Sequence, residues 1–409
     1  MTASSTTTTA VLPDTNVITK STRLISLDVL RGLAVAGMVL VTDPGTYQAV
    51  YWPLLHAQWD GTTPTDMIFP TFLFAVGIAI TFSFASRIER GHNRAQLAWH
   101  VLRRSIAIFI VGLLINGFPD YNLHALRIPG VLQRIALCYL VGSLLYLGIS
   151  RVSKKTGRPR DARTFTILAS IVVLLLIGYF ALLKLVLVPG FGAGRLDSLG
   201  NLGAYVDRAV FGTNHMWAYG LTPGYGVTYD PEGLLSTLPA IATLLIGVLT
   251  GIWLRTGYGS HRKAFAIAGA GLGLALAGWL LHPWFPINKK IWTSTFTLFS
   301  GGISLLAFSI LYWAIDIRRW RRGITPALVF GTNAILAFAL SNVITTLTDH
   351  IHVNMSSGAA LTLHEWGYRY CFATWLLPIH ASLAYAVAIV LLNFALLYPL
   401  YRRRIFLRF

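Results

Sequence analysis

The chain has 409 residues, of which 55% are hydrophobic and only 12% charged, about half the charged fraction of an ordinary soluble domain. This excludes a water-soluble globular enzyme and predicts an all-α polytopic membrane protein. A net charge of +18 would suit nucleic acid, but the basic residues fall in short clusters between apolar runs, the pattern that sets orientation in a bilayer, so no nucleic-acid partner is expected.

Residues 1–22 are threonine-rich and polar, with no apolar core of signal-peptide type, and read as a disordered cytoplasmic tail. From residue 23 to 409 the chain reads as one transmembrane domain. Ten apolar runs, at 24–43, 65–86, 104–118, 131–150, 164–188, 234–254, 264–282, 293–315, 325–347 and 379–400, approach the ~20 residues needed to cross a ~30 Å hydrocarbon core. Most of the 33 Lys and Arg lie in alternate connecting segments and at the chain ends. By the positive-inside rule both termini are cytoplasmic. The longest loop, 189–233, is too short to bury a core of its own. Cys138 and Cys371 form no disulfide framework and no metal-ligand spacing.

Along this frame, polar groups mark the places that need explaining. In "RLISLDVLRG" Arg23, Asp28 and Arg31 bracket the first helix start. Asp28 and Arg31 share a face at i,i+3 and either pair with each other or present a guanidinium fork to phosphate. The stretch "LLHAQWDGTTPTDMIFP" lies between the first two runs, in an outer loop. Thr63 can cap the next helix, Pro64 suits its first turn, and Asp66 can return a bond to the Thr63 amide. Trp59 fits an interfacial aromatic belt. His56, with Asp60 and Asp66 four and ten residues on, has the ordinary pKa near ~6.5 that suits a proton acceptor at neutral pH. At membrane depth Asn116, Gln133, Arg134, Asn333, Asn342 and Asn393 each need a partner or a wet cavity. In "YDPEGLL" Asp230 and Glu232 complement a helix dipole or meet a substrate. In "AIAGAGLGLALAG" Gly269 and Gly273 form a small-xxx-small face for close helix approach. Lys289 and Lys290 break the charge asymmetry of the outer side, as a solvated pair or as an attractor for an anionic acceptor. No GxSxG, Walker loop or HExxH motif occurs.

The blocks "RLISLDVLRGLAVAGMVLV", "LLHAQWDGTTPTDMIFPTFLFAVGIAI", "RIPGVLQRIALCYLV", "DPEGLLSTLPAIATLLIGVLTG", "PINKKIWTSTFTLFSGG" and "VFGTNAILAF" resemble, in order and spacing, the heparan-alpha-glucosaminide N-acetyltransferase family over about residues 23–345. The resemblance implies acetyl transfer from cytoplasmic acetyl-CoA to an amino sugar or glycan on the outer face, with no metal. It makes His56 the base or transient acetyl carrier. On that reading Asp60 or Asp66 orients the ring. CoA phosphates dock at Arg23 and Arg31 beside Asp28, and the pantetheine arm passes Gln133, Arg134 and Asn333. Trp59, Asp230, Glu232, Asn288 and Lys289 face the acceptor. A bacterial cytoplasmic (inner) membrane is the expected location, and a homodimer is left open. The chain departs from the family at "LVTDPG", where Thr42 and Asp43 stand in place of an asparagine that the resemblance makes functional. O-acetylation of an envelope polysaccharide and secondary transport are the competing readings; against transport, the halves show no internal repeat.

Overall fold

The protein is described by a computed structural model over residues 24–150, 161–355 and 360–406. Arg23 and the expected tail lie outside the described residues. Nine helices there are long and apolar enough to cross a membrane, and a bent pair makes a tenth span, so the chain is an all-α polytopic membrane protein. In hydrocarbon every backbone N–H and C=O must be satisfied within its own segment, and only helices do this for a run of this length.

In chain order the helices are α1 Ile25–Thr42, α2 Ile68–Glu89, α3 Arg94–Gly117, α4 Val131–Ile149, α5 Asp161–Leu185, α6 Leu202–Phe211, α7 Thr237–Leu254, α8 Ser260–Leu280, α9 Ser294–Leu311, α10 Thr325–Thr332, α11 Ala334–His350, the short α12 Leu363–Trp366 and α13 Pro378–Arg402. The amphipathic α6 belongs to the long loop. Two hairpins, Leu221–Thr222 with Gly226–Val227 and His352–Asn354 with Ala360–Thr362, are the strands among the described residues. Helices α10 and α11 meet at 88° around Asn333, whose backbone leaves the helical region.

Helix α7 is the centre of the bundle, buried over nearly its whole surface by α2, α4, α5 and α9. Where α2 crosses it, Gly77 and Gly247 let the two backbones touch, and a Cβ on either would strike a carbonyl of the other helix. The close approach expected of Gly269 and Gly273 is corrected: both face open space, and α8 meets α9 through Gly271 and Gly278 instead. Of the asparagines at membrane depth, Asn116 Nδ2 reaches the segment before α4, donating to Arg127 O (2.9 Å) and Pro129 O (3.1 Å), whereas two others are self-contained. Asn342 donates to Phe338 O (2.8 Å) and Asn393 to Ile389 O (3.0 Å) within their own helices.

Alternation of the spans puts the loop carrying His56 at one end of the bundle and both described termini at the other. At the terminal end Asp316 accepts from the amides of Ile25 (3.3 Å) and Ser26 (3.1 Å), capping α1. There too Asn333 Nδ2 donates to Ile405 O (3.1 Å).

Candidate active site

Between α1 and α2 the chain must reverse at the bundle surface, and hydroxyls pin the reversal. Thr63 Oγ1 donates to Leu55 O (2.6 Å) and Thr65 Oγ1 to Pro53 O (2.9 Å). Pro64, which has no N–H to lose, opens the turn Pro64–Met67 leading into α2. The fold thereby buries the Asp66 carboxylate, 1% exposed. Its Oδ2 accepts from Thr63 N (3.0 Å) and Ala57 N (3.1 Å). Its Oδ1 lies 2.7 Å from His56 Nδ1. The sequence left Asp66 between cap and chemistry; in the structure one oxygen caps Thr63 N and the other meets His56. Because a carboxylate with these donors accepts, Nδ1 carries the proton and Nε2 keeps its lone pair.

A second loop, 281–293, is laced to the first. Gly61 N donates to Ile287 O (2.8 Å) and Asn288 Nδ2 to Asp60 Oδ1 (3.1 Å). Asn288 is fully buried, and its own Oδ1 accepts from Ile291 N (3.1 Å). Asp60 therefore fixes a loop and does not touch the imidazole; of the two carboxylates proposed to orient the ring, only Asp66 reaches it. The lacing delivers Lys289, whose Nζ is 3.1 Å from Nδ1 and 3.4 Å from Nε2 of His56, and 3.8 Å from Asp66 Oδ1. A nitrogen nearly equidistant from both ring nitrogens would collide with Cε1 if it lay in the ring plane. It stands over the ring face, as a cation does over an aromatic.

These neighbours set the basicity of His56. Burial lowers its pKa, the Asp66 hydrogen bond opposes that, and the Lys289 charge lowers it further, for a net fall below the ordinary value. The imidazole is neutral at neutral pH, with a lone pair on the one nitrogen that faces away from Asp66.

Deeper, Arg127 grips both acidic residues of the "YDPEGLL" segment. Nε donates to Asp230 Oδ2 (2.9 Å), and Nη2 to Asp230 Oδ1 (2.6 Å) and to Glu232 Oε2 (2.7 Å). Asp230 further accepts from Trp217 N (2.8 Å). Sequence reasoning placed Asp230 and Glu232 opposite a helix dipole or a substrate and missed Arg127, which is 103 residues from Asp230. Burial raises the Glu232 pKa, but Arg127, Arg134 and Lys289 more than offset this, so it stays ionised. Glu232 thereby links the His56–Lys289 pair to Arg134.

Arg134 is 1% exposed and stacks 5.1 Å over Trp292. Nη2 donates to Gly233 O (2.9 Å) and to Ser236 Oγ, while Nε and Nη1 have no protein acceptor. Gln133 lies beside it, its side chain seated against Gly112 and Gly130. Trp59 gives its indole N–H to Leu196 O (2.9 Å) and meets the Tyr229 ring edge-on at 5.0 Å. Of the residues expected along the pantetheine arm, Gln133 and Arg134 are at the His56 end and Asn333 at the other. Arg31 pairs with Asp28 and donates to Gly331 O (3.1 Å), tying α1 to α10, which is the pairing alternative that the spacing allowed.

An all-α bundle with nine single spans and one bent pair among the described residues defines a polytopic membrane protein, with a neutral histidine held by a carboxylate at one end. Residues 23–156 match the family described as "Heparan-alpha-glucosaminide N-acetyltransferase, catalytic". The chain is 30% identical over 351 residues to the heparan-alpha-glucosaminide N-acetyltransferase of Homo sapiens, covering 77% of this chain and 52% of that protein. It is 31% identical over 356 residues to that of Mus musculus, covering 77% and 53%. The chain belongs to the heparan-alpha-glucosaminide N-acetyltransferase family and spans about half the length of the curated relatives it matches.

Proposed function

We propose that the protein transfers an acetyl group from acetyl-CoA to the amine of a glucosamine-type sugar, with His56 as the base or transient acetyl carrier. The observation that carries this reading is the His56–Asp66 contact of 2.7 Å. A buried carboxylate holds Nδ1 and leaves Nε2 to take a proton from an acceptor amine or to take the acetyl group. A thioester is already activated, so the protein's task is to align the acceptor and remove its proton. Lys289 and Glu232 sit where an amino sugar's polar groups would meet them, and the two uncommitted nitrogens of Arg134 supply donors within the same cluster.

The His56 end is assigned to the outer face by the concentration of arginines at the opposite end, where the CoA phosphates would dock. The bacterial cytoplasmic membrane remains the assigned location. Helices of 18 to 25 residues separate the two ends by roughly 27–37 Å at ~1.5 Å per residue, so the arm must enter the bundle deeply or the acetyl group must be relayed.

The test is to incubate purified protein with radiolabelled acetyl-CoA, with and without glucosamine. Wild type should label the sugar, and His56→Ala should lose at least about 10²-fold in rate while still binding CoA. A His56→Ala rate above about a tenth of wild type would remove His56 from the chemistry. Uptake of sugar into proteoliposomes without CoA would replace the reading with transport.

A further inference from the structure

Lys289 stands in a position that proton removal at His56 does not require. Its Nζ, 3.1 and 3.4 Å from the two ring nitrogens, lies over the imidazole face, and Asp66 leaves Nε2 as the nitrogen facing the incoming acyl group. An acetyl group on Nε2 would be conjugated with the ring and so lie in its plane. Nucleophiles reach such a carbonyl carbon perpendicular to that plane. An amine over the ring face is on the reactive side, and Nζ is 3.4 Å from Nε2, the atom one bond from the position of the carbonyl carbon. A thioester carbonyl held beside Nε2 for direct transfer meets the same amine.

We propose that Lys289 is itself an acetylation site: when no acceptor sugar is bound, the protein transfers the acetyl group to Lys289 Nζ. This rests on the acetyl-transfer reading above. In the step, the neutral amine forms a bond to the carbonyl carbon, and the C–S bond of the thioester, or the C–Nε2 bond of an acetyl-His56, breaks. In direct transfer the proton shed by Nζ passes through Nε2 to the departing thiolate; from acetyl-His56, whose thiol left when the ring was acylated, it goes to the released imidazole, and either route leaves an amide and free thiol. Burial, assisted by the charge of Arg134, lowers the Lys289 pKa against the pull of Asp66 and Glu232, which raises the neutral fraction available to attack. A sugar amine must use the same side of the ring, so acceptor and Lys289 compete.

The full-length protein is incubated with doubly 13C-labelled acetyl-CoA, with and without glucosamine, and the modified lysines are located by peptide mass spectrometry. Lys290 is the internal comparison, since its Nζ is 3.2 Å from the Tyr229 hydroxyl and not at His56. Labelling of Lys289 should exceed that of Lys290 by about tenfold or more, fall with glucosamine present, and vanish in His56→Ala. Equal labelling of the two lysines, or labelling untouched by His56→Ala, overturns the proposal. An unlabelled Lys289 in protein that acetylates glucosamine also overturns it and leaves the acetyl-transfer reading standing. Acetylation of neither sugar nor lysine would take down that reading and the proposal with it.

Discussion

The basicity of His56 is set by its neighbours Asp66 and Lys289, and on the proposed reading each can be taken away separately. Transfer needs the neutral ring, so the rate should fall on acidification through the depressed His56 pKa, below the ordinary histidine value. Replacing Lys289 by Met removes a positive charge from the ring face, so the acid limb of kcat/KM should move to higher pH. A limb that stays in place would mean the charge does not reach the ring. Asp66→Asn presents an amide to Nδ1 in place of a carboxylate and should lower kcat by about 10²–10⁴-fold through the wrong tautomer, with CoA binding retained. A variant within threefold of wild type would show that Asp66 acts only as the cap on Thr63 N. The pair His56–Asp66 was legible in the sequence because ten residues and one proline-opened turn separate the partners. Lys289 was legible only as an odd charge, since its partner is 233 residues away and the lacing through Asn288 and Asp60 has no local signature.

Among the elements, the segment preceding α7 is held by charge where helix burial ends. Arg127 spans two carboxylates, and its removal would leave Asp230 buried without its cation and Glu232 without its hydrogen-bonded one, a change that costs about 3–5 kcal/mol. Arg127→Ala should lower thermal stability in detergent accordingly. Arg127→Lys should recover little of it, because an ammonium lacks the planar fork that meets Asp230 through two nitrogens. On α6, burial pushes the Asp207 carboxyl up to about 7, with Oδ1 accepting from Leu234 N (2.8 Å). In the unfolded chain it ionises near ~3.9, so the folded state binds this proton more tightly and loses stability as pH rises from about 4 to 7. Asp207→Asn keeps an acceptor for Leu234 and removes that penalty. The variant should gain up to about 4 kcal/mol over wild type at pH 8 and little at pH 4; an equal gain at both would exclude titration as the cause. The dipole reading of Asp230 and Glu232 was sound local physics that tertiary pairing overrode. The glycine face of α8 failed similarly: Gly269 and Gly273 satisfy the small-xxx-small spacing, but which side of a helix meets its neighbour is decided by the neighbour.

For the whole molecule the spans were legible, because the demand that hydrocarbon makes on a backbone is written in composition alone. All ten expected runs correspond to helices, nine as single helices and one as the bent α10–α11 pair. The bend was not legible: "VFGTNAILAF" reads as one apolar run, and Asn333 leaves the helical region only in the company of α1 and the chain end beyond α13. The arrangement of the candidate site was half legible. Sequence identified most of its residues but placed Asn333 with Gln133 and Arg134, a grouping that depends on which bundle end each helix presents.

The binding of α1 has a consequence for biogenesis. Its partners besides α2 are α9, α10, α11 and α13, and the bonds that fix it run from Arg31 to Gly331 and from Ile25 and Ser26 to Asp316, across about 300 residues of chain. Synthesis proceeds from the N-terminus, so α1 is made well before the helices that hold it. Asp28 and Arg31 lie one turn apart on α1 and pair with each other, a neutralisation that needs no later span and suits α1 to wait in lipid until its partners are made.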